Sequence, residues 1–239
     1  RPWVGVTTAV LILVILSIPA FSLRLGFSDA GNRSTDATTR VAYDYVTEGF
    51  GVGANGPLVL VAEYPEGTDP QAALGTLQQR IQADPDVAQG GVTPPIPVGQ
   101  VDGNQIAVMS VNPATGPQDE ATTELIERLR SEVIPDSLGP DSDISVSVTG
   151  ITAGAIDYAD ITLELLPWTI AAVLAAAFVL LVLAFRSIVV PVKAVIVNVL
   201  SLGAAYGVIV AIFQWGWAGS LFGVGRAGPI DAWVPIMLF

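Results

Sequence analysis

The sequence predicts a polytopic α-helical membrane protein with one α+β domain inserted between its membrane spans. Apolar runs long enough to cross a bilayer occur at residues 4–23, 165–185 and 192–213. The chain is 51% hydrophobic, yet its formal net charge is -12. Residues 24–164 contain 21 acidic and only 6 basic residues, so the negative charge lies almost entirely in one segment. That segment is predicted to form a water-facing domain, and the remainder is predicted to lie in lipid.

Residues 4–23 are predicted to form the first membrane span. The run is flanked by Arg1 and Arg24, and Trp3 stands where interfacial aromatic residues are enriched. Pro19 is expected to bend the last turn of this helix or to end it early, because proline cannot donate a helical hydrogen bond. A signal peptide is the competing interpretation, and a start at Arg1 rather than at Met disfavours it.

Residues 165–185 and 192–213 are predicted to form a membrane-spanning helical hairpin. The first run contains no charged residue, and the second contains only Lys193, at its leading end. A helix of this length extends roughly 30 Å, the thickness of a bilayer's hydrocarbon core. A buried hairpin of a large soluble protein is the alternative, but ordinary core helices are seldom so long and uncharged. A fourth span is predicted to begin at residues 232–239, so we expect the chain to be a piece of a longer polypeptide.

Basic residues near the spans predict the orientation in the plasma membrane. Arg1, Arg186 and Lys193 all lie in the cytoplasm if the N-terminus and the turn of the hairpin are cytoplasmic. Residues 24–164 then lie on the extracytoplasmic side, and Arg226 is the exception to the charge rule. The strong negative charge of the water-facing segment disfavours nucleic acid as a partner.

The inserted domain is predicted to have the element order βα(β)βαβ, a ferredoxin-like arrangement, after a first helix. The predicted elements are, in chain order, a helix at Ser34–Glu48, a strand at Leu58–Ala62, a helix that begins at Asp69-Pro70, a short or irregular strand within Gly90–Gly99, a strand at Ile106–Val111, a helix at Gln118–Val133 and a half-exposed strand at Ile144–Val148.

Apolar spacing predicts which faces of the three helices meet the core. In the first helix, Val41, Tyr45 and Val46 share one face, while Tyr43-Asp44-Tyr45 is interpreted as ordinary helix surface. The inward positions predicted for the other two helices are Leu74, Leu77 and Ile81 in the second, and Leu125, Ile126, Leu129 and Val133 in the third.

The candidate functional residues are polar and small residues in or beside the third span, where lipid makes polar groups costly. Asn198 and Tyr206 are expected to bond to neighbouring helices or to line a path through the membrane. Gly203 and Gly207 match G-x-x-x-G, a pattern that lets another helix approach closely. Asp231 is expected to cap the N-terminus of the fourth span, with a gating acid as the alternative.

Three acidic residues, Asp157, Asp160 and Glu164, lie at i, i+3 and i+7 just before the second span. A solvated start of that helix is favoured over a cation or proton antenna, because an exposed acidic turn needs no special role. The sequence contains no Cys and no His, which excludes thiol catalysis, disulfides and most zinc sites. It contains no nucleophile–base pair, phosphate loop or metal cluster, so we expect no catalytic residue, metal or cofactor and no enzyme activity.

Three groups of stretches are more specific than any single motif. They are Arg24–Gly31, then Ala42–Tyr45 with Glu48–Leu58, and then Phe213–Trp217 with Gly228–Ile230 and Pro235-Ile236. In this order and spacing they resemble the MMPL transporters, a branch of the resistance–nodulation–division superfamily best known from actinobacteria. The resemblance covers nearly the whole chain.

The resemblance implies the second half of such a transporter, from its first helix to the start of its fourth. It implies that residues 24–164 are an extracytoplasmic porter subdomain and that the protein exports lipids or other hydrophobic molecules, driven by the proton-motive force. The implied partners are the lipid bilayer, a hydrophobic substrate, the remaining half of the same polypeptide and a second copy in a homo-oligomer. The family's Asp-Tyr proton relay is expected beyond Phe239, with no member in this chain. A membrane-anchored sensor with an extracytoplasmic ligand-binding domain is the alternative function.

Overall fold

The computed structural model describes residues 2–140 and 142–238. These residues form two compact units, which we call the helical unit (residues 1–37 and 158–239) and the sheet unit (residues 38–157). Arg1, used above to predict the orientation, and Phe239, the last residue of the predicted fourth span, lie outside the described residues.

The two units contain the following regular elements. The α-helices are α1 (Pro2–Ser17), α2 (Thr38–Phe50), α3 (Gln71–Gln82), α4 (Glu120–Arg128), α5 (Ile134–Leu138), α6 (Ile151–Phe185), α7 (Val189–Ile209) and α8 (Val234–Leu238). The strands are β1 (Leu25–Gly26), β2 (Leu58–Pro65), β3 (Val87–Val92), β4 (Ile96–Val101), β5 (Asn104–Pro113), β6 (Ser145–Thr149) and β7 (Ile230–Asp231).

Three helical stretches are long and apolar enough to cross a membrane: Trp3–Ser22, Ile151–Phe185 and Val189–Gln214. They correspond to the three apolar runs that the sequence predicts as spans, and the first ends at Ser22 rather than at residue 23. Helix α6 begins at Ile151, well before the predicted start at residue 165, and includes the acidic residues that precede the apolar run. Helix α7 begins at Val189 rather than at 192, so the hairpin turn is shorter than predicted.

The ends of the first and third stretches depart from regular α-helix. Helix α1 ends at Ser17 and continues as a 3₁₀ turn, Ile18–Ser22, which contains Pro19. This confirms the expectation that Pro19 ends the helix early, because its ring occupies the place of a hydrogen-bond donor. Helix α7 continues as a wider π-helical turn, Val210–Gln214.

The sheet unit is built on one antiparallel sheet with β2 at its centre. Strand β2 pairs with β5 on one side and with β6 on the other, and both β3 and β4 pair with β5. One face of the sheet meets α3 and α4 in a continuous apolar core. Its largest fully buried side chains are Leu58, Leu60, Leu74, Leu77, Ile81, Met109, Val111, Leu125, Ile126 and Leu129. The inward positions predicted for α3 and α4 are thereby confirmed, with Val133 only partly buried.

The irregular strand predicted within residues 90–99 is two strands, β3 and β4, which lie one after the other along β5. The interruption is Thr93-Pro94-Pro95, because a proline has no N–H to donate to the neighbouring strand. Asp102 and Gly103 then join β4 to β5 with φ angles of 51° and 87°. Two positive φ values are what a type I′ hairpin turn requires, and Asp-Gly is a preferred pair for it.

Two predicted helices have different bounds in the structure. Helix α2 begins at Thr38 because Ser34–Ala37 forms a separate turn, in which the Ala37 N–H donates to the Ser34 carbonyl at 3.0 Å. Its buried residue is Tyr43, whereas Tyr45 is 70% exposed, so the predicted inward face was wrong. The helix predicted to end at Val133 continues to Leu138 through a π-helical turn, Leu129–Val133, which precedes Pro135.

A charged cluster joins α4 to the turn between α3 and β3. Arg128 donates through Nε and Nη2 to the two carboxylate oxygens of Asp84 at 2.9 and 2.8 Å, and Nη2 also donates to Asp86 at 2.8 Å. Burial raises the pKa of Asp84, but the hydrogen bonds from Arg128 and from the Asp86 amide outweigh burial and hold this pKa below its ordinary value of 3.8. The Asp84 side chain is only 7% exposed, so this pair is screened little by solvent.

We expect Asp84→Asn to lower the free energy of unfolding of the full-length protein in detergent at pH 7 by about 1.5–3 kcal/mol, the usual value of hydrogen bonds to a charged group. Because the folded state lowers the pKa of Asp84, the contribution is complete above pH 3.8 and is lost as the pH falls through the folded-state pKa. Thermal unfolding at pH 7 and below pH 4 measures both effects.

Asp44→Asn is the matched control, because Asp44 forms an ion pair with Arg40 on an exposed helix surface. It should change the free energy of unfolding by less than about 0.5 kcal/mol. Equal effects of the two substitutions at pH 7 would contradict the role given to the cluster.

Candidate functional site

A groove of about 410 Å³ lies between α6, α7 and the end of α8 in the helical unit. Its lining residues are Val173, Leu174, Ala177, Asn198, Ser201, Leu202, Ala205 and Leu238. Asn198 and Ser201 are one helical turn apart and are the polar members of this otherwise apolar lining. They therefore place hydrogen-bonding groups within the apolar third span, where lipid offers no partner.

The opposite face of α7 meets α1. A Cβ atom built on Gly207 would lie 1.8 Å from the Leu16 carbonyl oxygen, and one built on Gly203 would lie 2.9 Å from the Ser17 hydroxyl. The hydroxyl of Ser17 donates to the Leu13 carbonyl at 2.7 Å and lies 3.4 Å from the Leu200 carbonyl of α7. The two helices thus approach through glycine, with no room for a side chain.

Tyr206 lies between these two faces of α7 and binds α8. Its buried hydroxyl donates to the Pro235 carbonyl oxygen at 2.8 Å. Tyr206 is 8% exposed, so this bond satisfies a polar group that would otherwise be costly within the span. The structure therefore separates the candidate residues of the third span. Asn198 lines the groove, Gly203 and Gly207 contact α1, and Tyr206 contacts α8.

Asp231 does not cap a helix at residue 232, because it lies in β7 and helix α8 begins only at Val234. Its carboxylate accepts a hydrogen bond from the Ser28 N–H at 2.6 Å. A charged carboxylate forms a strong hydrogen bond with a backbone N–H. Here that N–H belongs to Ser28, in the turn after β1. Asp231 therefore stabilises the pairing of β1 with β7.

The parallel β1–β7 pairing was not predicted from the sequence. The Ile230 N–H donates to the Arg24 carbonyl at 2.9 Å, and the Ala232 N–H donates to the Gly26 carbonyl at 3.1 Å. Gln214 binds the preceding residues, because its Nε2 donates to the Ser22 carbonyl at 2.6 Å and its Oε1 accepts from the Arg24 N–H at 2.9 Å. The end of the first span is thereby bonded to the end of the third and to the chain before α8.

Apolar side chains pack against this strand pairing. Leu25 and Ile230 are buried with Ala159 of α6 and Ala232, and Ile209 of α7 packs against them. Two-residue strands have no periodicity, so the signal available in the sequence was the polar Gln214 at the end of an apolar run.

Asp157, Asp160 and Glu164 lie within the continuous helix α6. Their i, i+3, i+7 spacing therefore places them on one face of that helix. The side chain of Asp157 is 45% exposed, in agreement with a solvated helix start. It also forms an ion pair, because Arg130 Nη2 donates to it at 2.9 Å and to the Val148 carbonyl at 2.9 Å. Sequence analysis missed Arg130, which is distant along the chain. Among residues 2–140 and 142–238, no group of three acidic, His or Cys side chains could hold a metal ion.

The chain is similar to known membrane proteins along nearly its whole length. A family model described as the MMPL family matches residues 96–221. Membrane protein YdfJ of Bacillus subtilis is 37% identical over 96% of this chain and 30% of its own length. The mycolic acid-containing lipids exporter MmpL11 of Mycolicibacterium smegmatis is 33% identical over 98% of this chain and 24% of its own length.

A third relative, the heme uptake protein MmpL11 of Mycobacterium tuberculosis, is 29% identical over 98% of this chain and 24% of its own length. The chain therefore spans between 24% and 30% of the length of these relatives.

We expect Gly207→Ala to lower the free energy of unfolding of the full-length protein in detergent by about 1–3 kcal/mol, and with it the unfolding temperature. The reason is that even a methyl group would overlap the Leu16 carbonyl. Gly5→Ala is the matched control in α1, because a Cβ at Gly5 has no atom within 4 Å. It should be neutral or slightly stabilising, since alanine favours the helix over glycine. An unchanged unfolding temperature for Gly207→Ala would show that α1 and α7 do not meet closely.

Proposed function

The chain belongs to the MMPL family, and from this premise we propose that it is part of a membrane transporter that exports lipids or other hydrophobic molecules, driven by the proton-motive force. The observation that carries the proposal is the similarity over 98% of the chain to a relative named as a lipid exporter. Three apolar helices of spanning length agree with a role within the membrane.

The names of the relatives support a class of cargo rather than one molecule. One relative is named for mycolic acid-containing lipids and another for heme. Both cargoes are large and mainly apolar, and both carry a few polar groups. We therefore propose a hydrophobic or amphipathic cargo, with export as the direction.

We propose that the sheet unit is a ferredoxin-like porter subdomain. The sheet order β3-β5-β2-β6 places the first and last strands of the unit side by side and puts β5 between β2 and β3. Helix α3 connects β2 to β3, and α4 with α5 connects β5 to β6. This order supports a split-βαβ arrangement if β3 and β4 are counted as two segments of one edge strand.

We propose that the sheet unit faces the extracytoplasmic side. Arg186 and Lys193 flank the hairpin turn, where the positive-inside rule favours the cytoplasm. The strongly acidic residues 24–164 agree with the opposite side, since they carry few of the basic residues that are retained in the cytoplasm.

We propose that Asn198 and Ser201 line part of the transport path, whereas Gly203, Gly207 and Tyr206 position the helices around it. The groove face of α7 exposes its polar groups, while the glycine and tyrosine faces are occupied by α1 and α8. Proton coupling needs an acid within the membrane, and residues 3–22, 165–185 and 189–214 contain none. The coupling residues are therefore proposed to lie elsewhere in the full-length polypeptide.

The proposed function is tested with the full-length protein in vesicles that contain a fluorescent long-chain phospholipid. We expect movement of this probe between leaflets under an imposed proton gradient and its loss when a protonophore collapses the gradient. Asn198→Leu should slow the movement about threefold to tenfold, which corresponds to one intramembrane hydrogen bond of ~0.6–1.4 kcal/mol.

Val197→Leu is the matched control, because Val197 is an exposed neighbour outside the groove lining. Movement that is absent, or independent of the gradient, would overturn the proposed function. A normal rate with Asn198→Leu would overturn only the assignment of the path.

Orientation has its own test, in a full-length variant freed of other cysteines. A cysteine at Ser187, in the hairpin turn, should resist a membrane-impermeant thiol reagent in intact cells and react after permeabilisation. A cysteine at Glu66, an exposed residue after β2, should react in intact cells. The reversed pattern would contradict the extracytoplasmic assignment.

A further inference from the structure

The chain between α7 and α8 forms a closed loop, residues 213–228, which we call the 213–228 loop. The Gly228 N–H donates to the Phe213 carbonyl at 3.1 Å, so the two ends of the loop are adjacent. Compact loops of this length, with adjacent ends and packed by their own side chains, are a recognised class.

Many backbone amides of this loop form hydrogen bonds within the protein. Its N–H groups donate over short range at 2.8–3.2 Å, in the pairs Trp215 to Val210, Trp217 to Ala211, Gly219 to Gly216, Leu221 to Ala218 and Val224 to Gly219. An aqueous loop has no such need, because water satisfies its amides. A segment that enters lipid must satisfy its backbone internally.

The side chains that the loop presents outward are apolar. Trp217 is 63% exposed, Leu221 is 83% exposed and Phe222 is 60% exposed. The ring centroids of Trp215 and Trp217 are 5.4 Å apart, so these two aromatic residues also contact each other. Arg226 is the one charged residue of the loop. Removing such large apolar side chains from water is favourable.

The loop adjoins the ends of two apolar stretches. Gln214, its second residue, bonds to both Ser22 and Arg24 at the end of the first stretch. Phe21, beside Ser22 in the first stretch, is 94% exposed and is also apolar. Tryptophan is enriched at the boundary between lipid and water.

We propose that the 213–228 loop is an interfacial anchor, which inserts Trp217, Leu221 and Phe222 into the headgroup–acyl boundary of the leaflet where the first and third stretches end. Its partner is the bilayer itself, because the loop directly follows the third apolar stretch and Gln214 bonds it to the end of the first. The backbone hydrogen bonds reduce the number of amides that the loop exposes at this boundary, and the apolar side chains provide the attraction. The anchor fixes the depth at which the β1–β7 pairing lies.

The test uses a nitroxide spin label at Leu221→Cys in the full-length protein, in vesicles of phosphatidylcholine and phosphatidylglycerol. Collision of the label with oxygen, which concentrates in lipid, is compared with collision with a water-soluble nickel chelate. The reference positions are Leu180→Cys, on an exposed face of α6, and Glu66→Cys, in an exposed turn of the sheet unit.

We expect the oxygen-to-nickel collision ratio at position 221 to be far above that at position 66 and to approach that at position 180. A ratio equal to that at position 66 would mean that the loop lies in water. Low collision rates with both reagents would mean that protein covers the loop. Either result would overturn the proposal. Leu221 is 83% exposed, so the label should not disturb the fold.

Discussion

A bilayer offers no hydrogen bonds to a backbone, and this constraint organises the whole helical unit. The three apolar stretches meet it as helices. The chain at their ends meets it differently, through the β1–β7 pairing, the side chain of Gln214 and the internally bonded 213–228 loop. The irregular chain near the membrane surface is therefore bonded to itself, and its apolar side chains are left for lipid.

Close packing of helices at glycine residues is the second determinant of the helical unit. Lipid is as apolar as leucine, so burial of apolar surface gives little drive for helices to associate within it. Gly203 and Gly207 instead let α1 approach α7 closely. The α1 backbone meets Gly207, and the Ser17 side chain meets Gly203. The face of α7 that carries Asn198 is thereby turned toward the groove, and Tyr206 holds α8 beside it. Packing on one face of α7 thus defines what the other face can contact.

Continuous apolar runs were sufficient to predict the three long apolar helices. Local periodicity predicted the helices α3 and α4 and the central strands, because burial repeats regularly along these elements. Sequence-based prediction failed for contacts between residues distant along the chain and for very short strands. The G-x-x-x-G pattern predicts a close approach but not that α1 approaches. Asp231 was predicted to cap a helix because Ser28, whose amide it binds, is distant along the chain. The pairing of Arg128 with Asp84 and the two-residue strands β1 and β7 likewise depend on chain segments that only folding brings together.

We infer that lipid-imposed hydrogen bonding extends beyond the helices into residues 213–232. Hydrogen exchange of the full-length protein in lipid nanodiscs, followed by mass spectrometry of its peptides, measures this bonding. Peptides from residues 213–232 should exchange nearly as slowly as those from 189–209. They should exchange far more slowly than the exposed turn at residues 66–69. Exchange of residues 213–232 as fast as that turn would mean that lipid does not impose their hydrogen bonding.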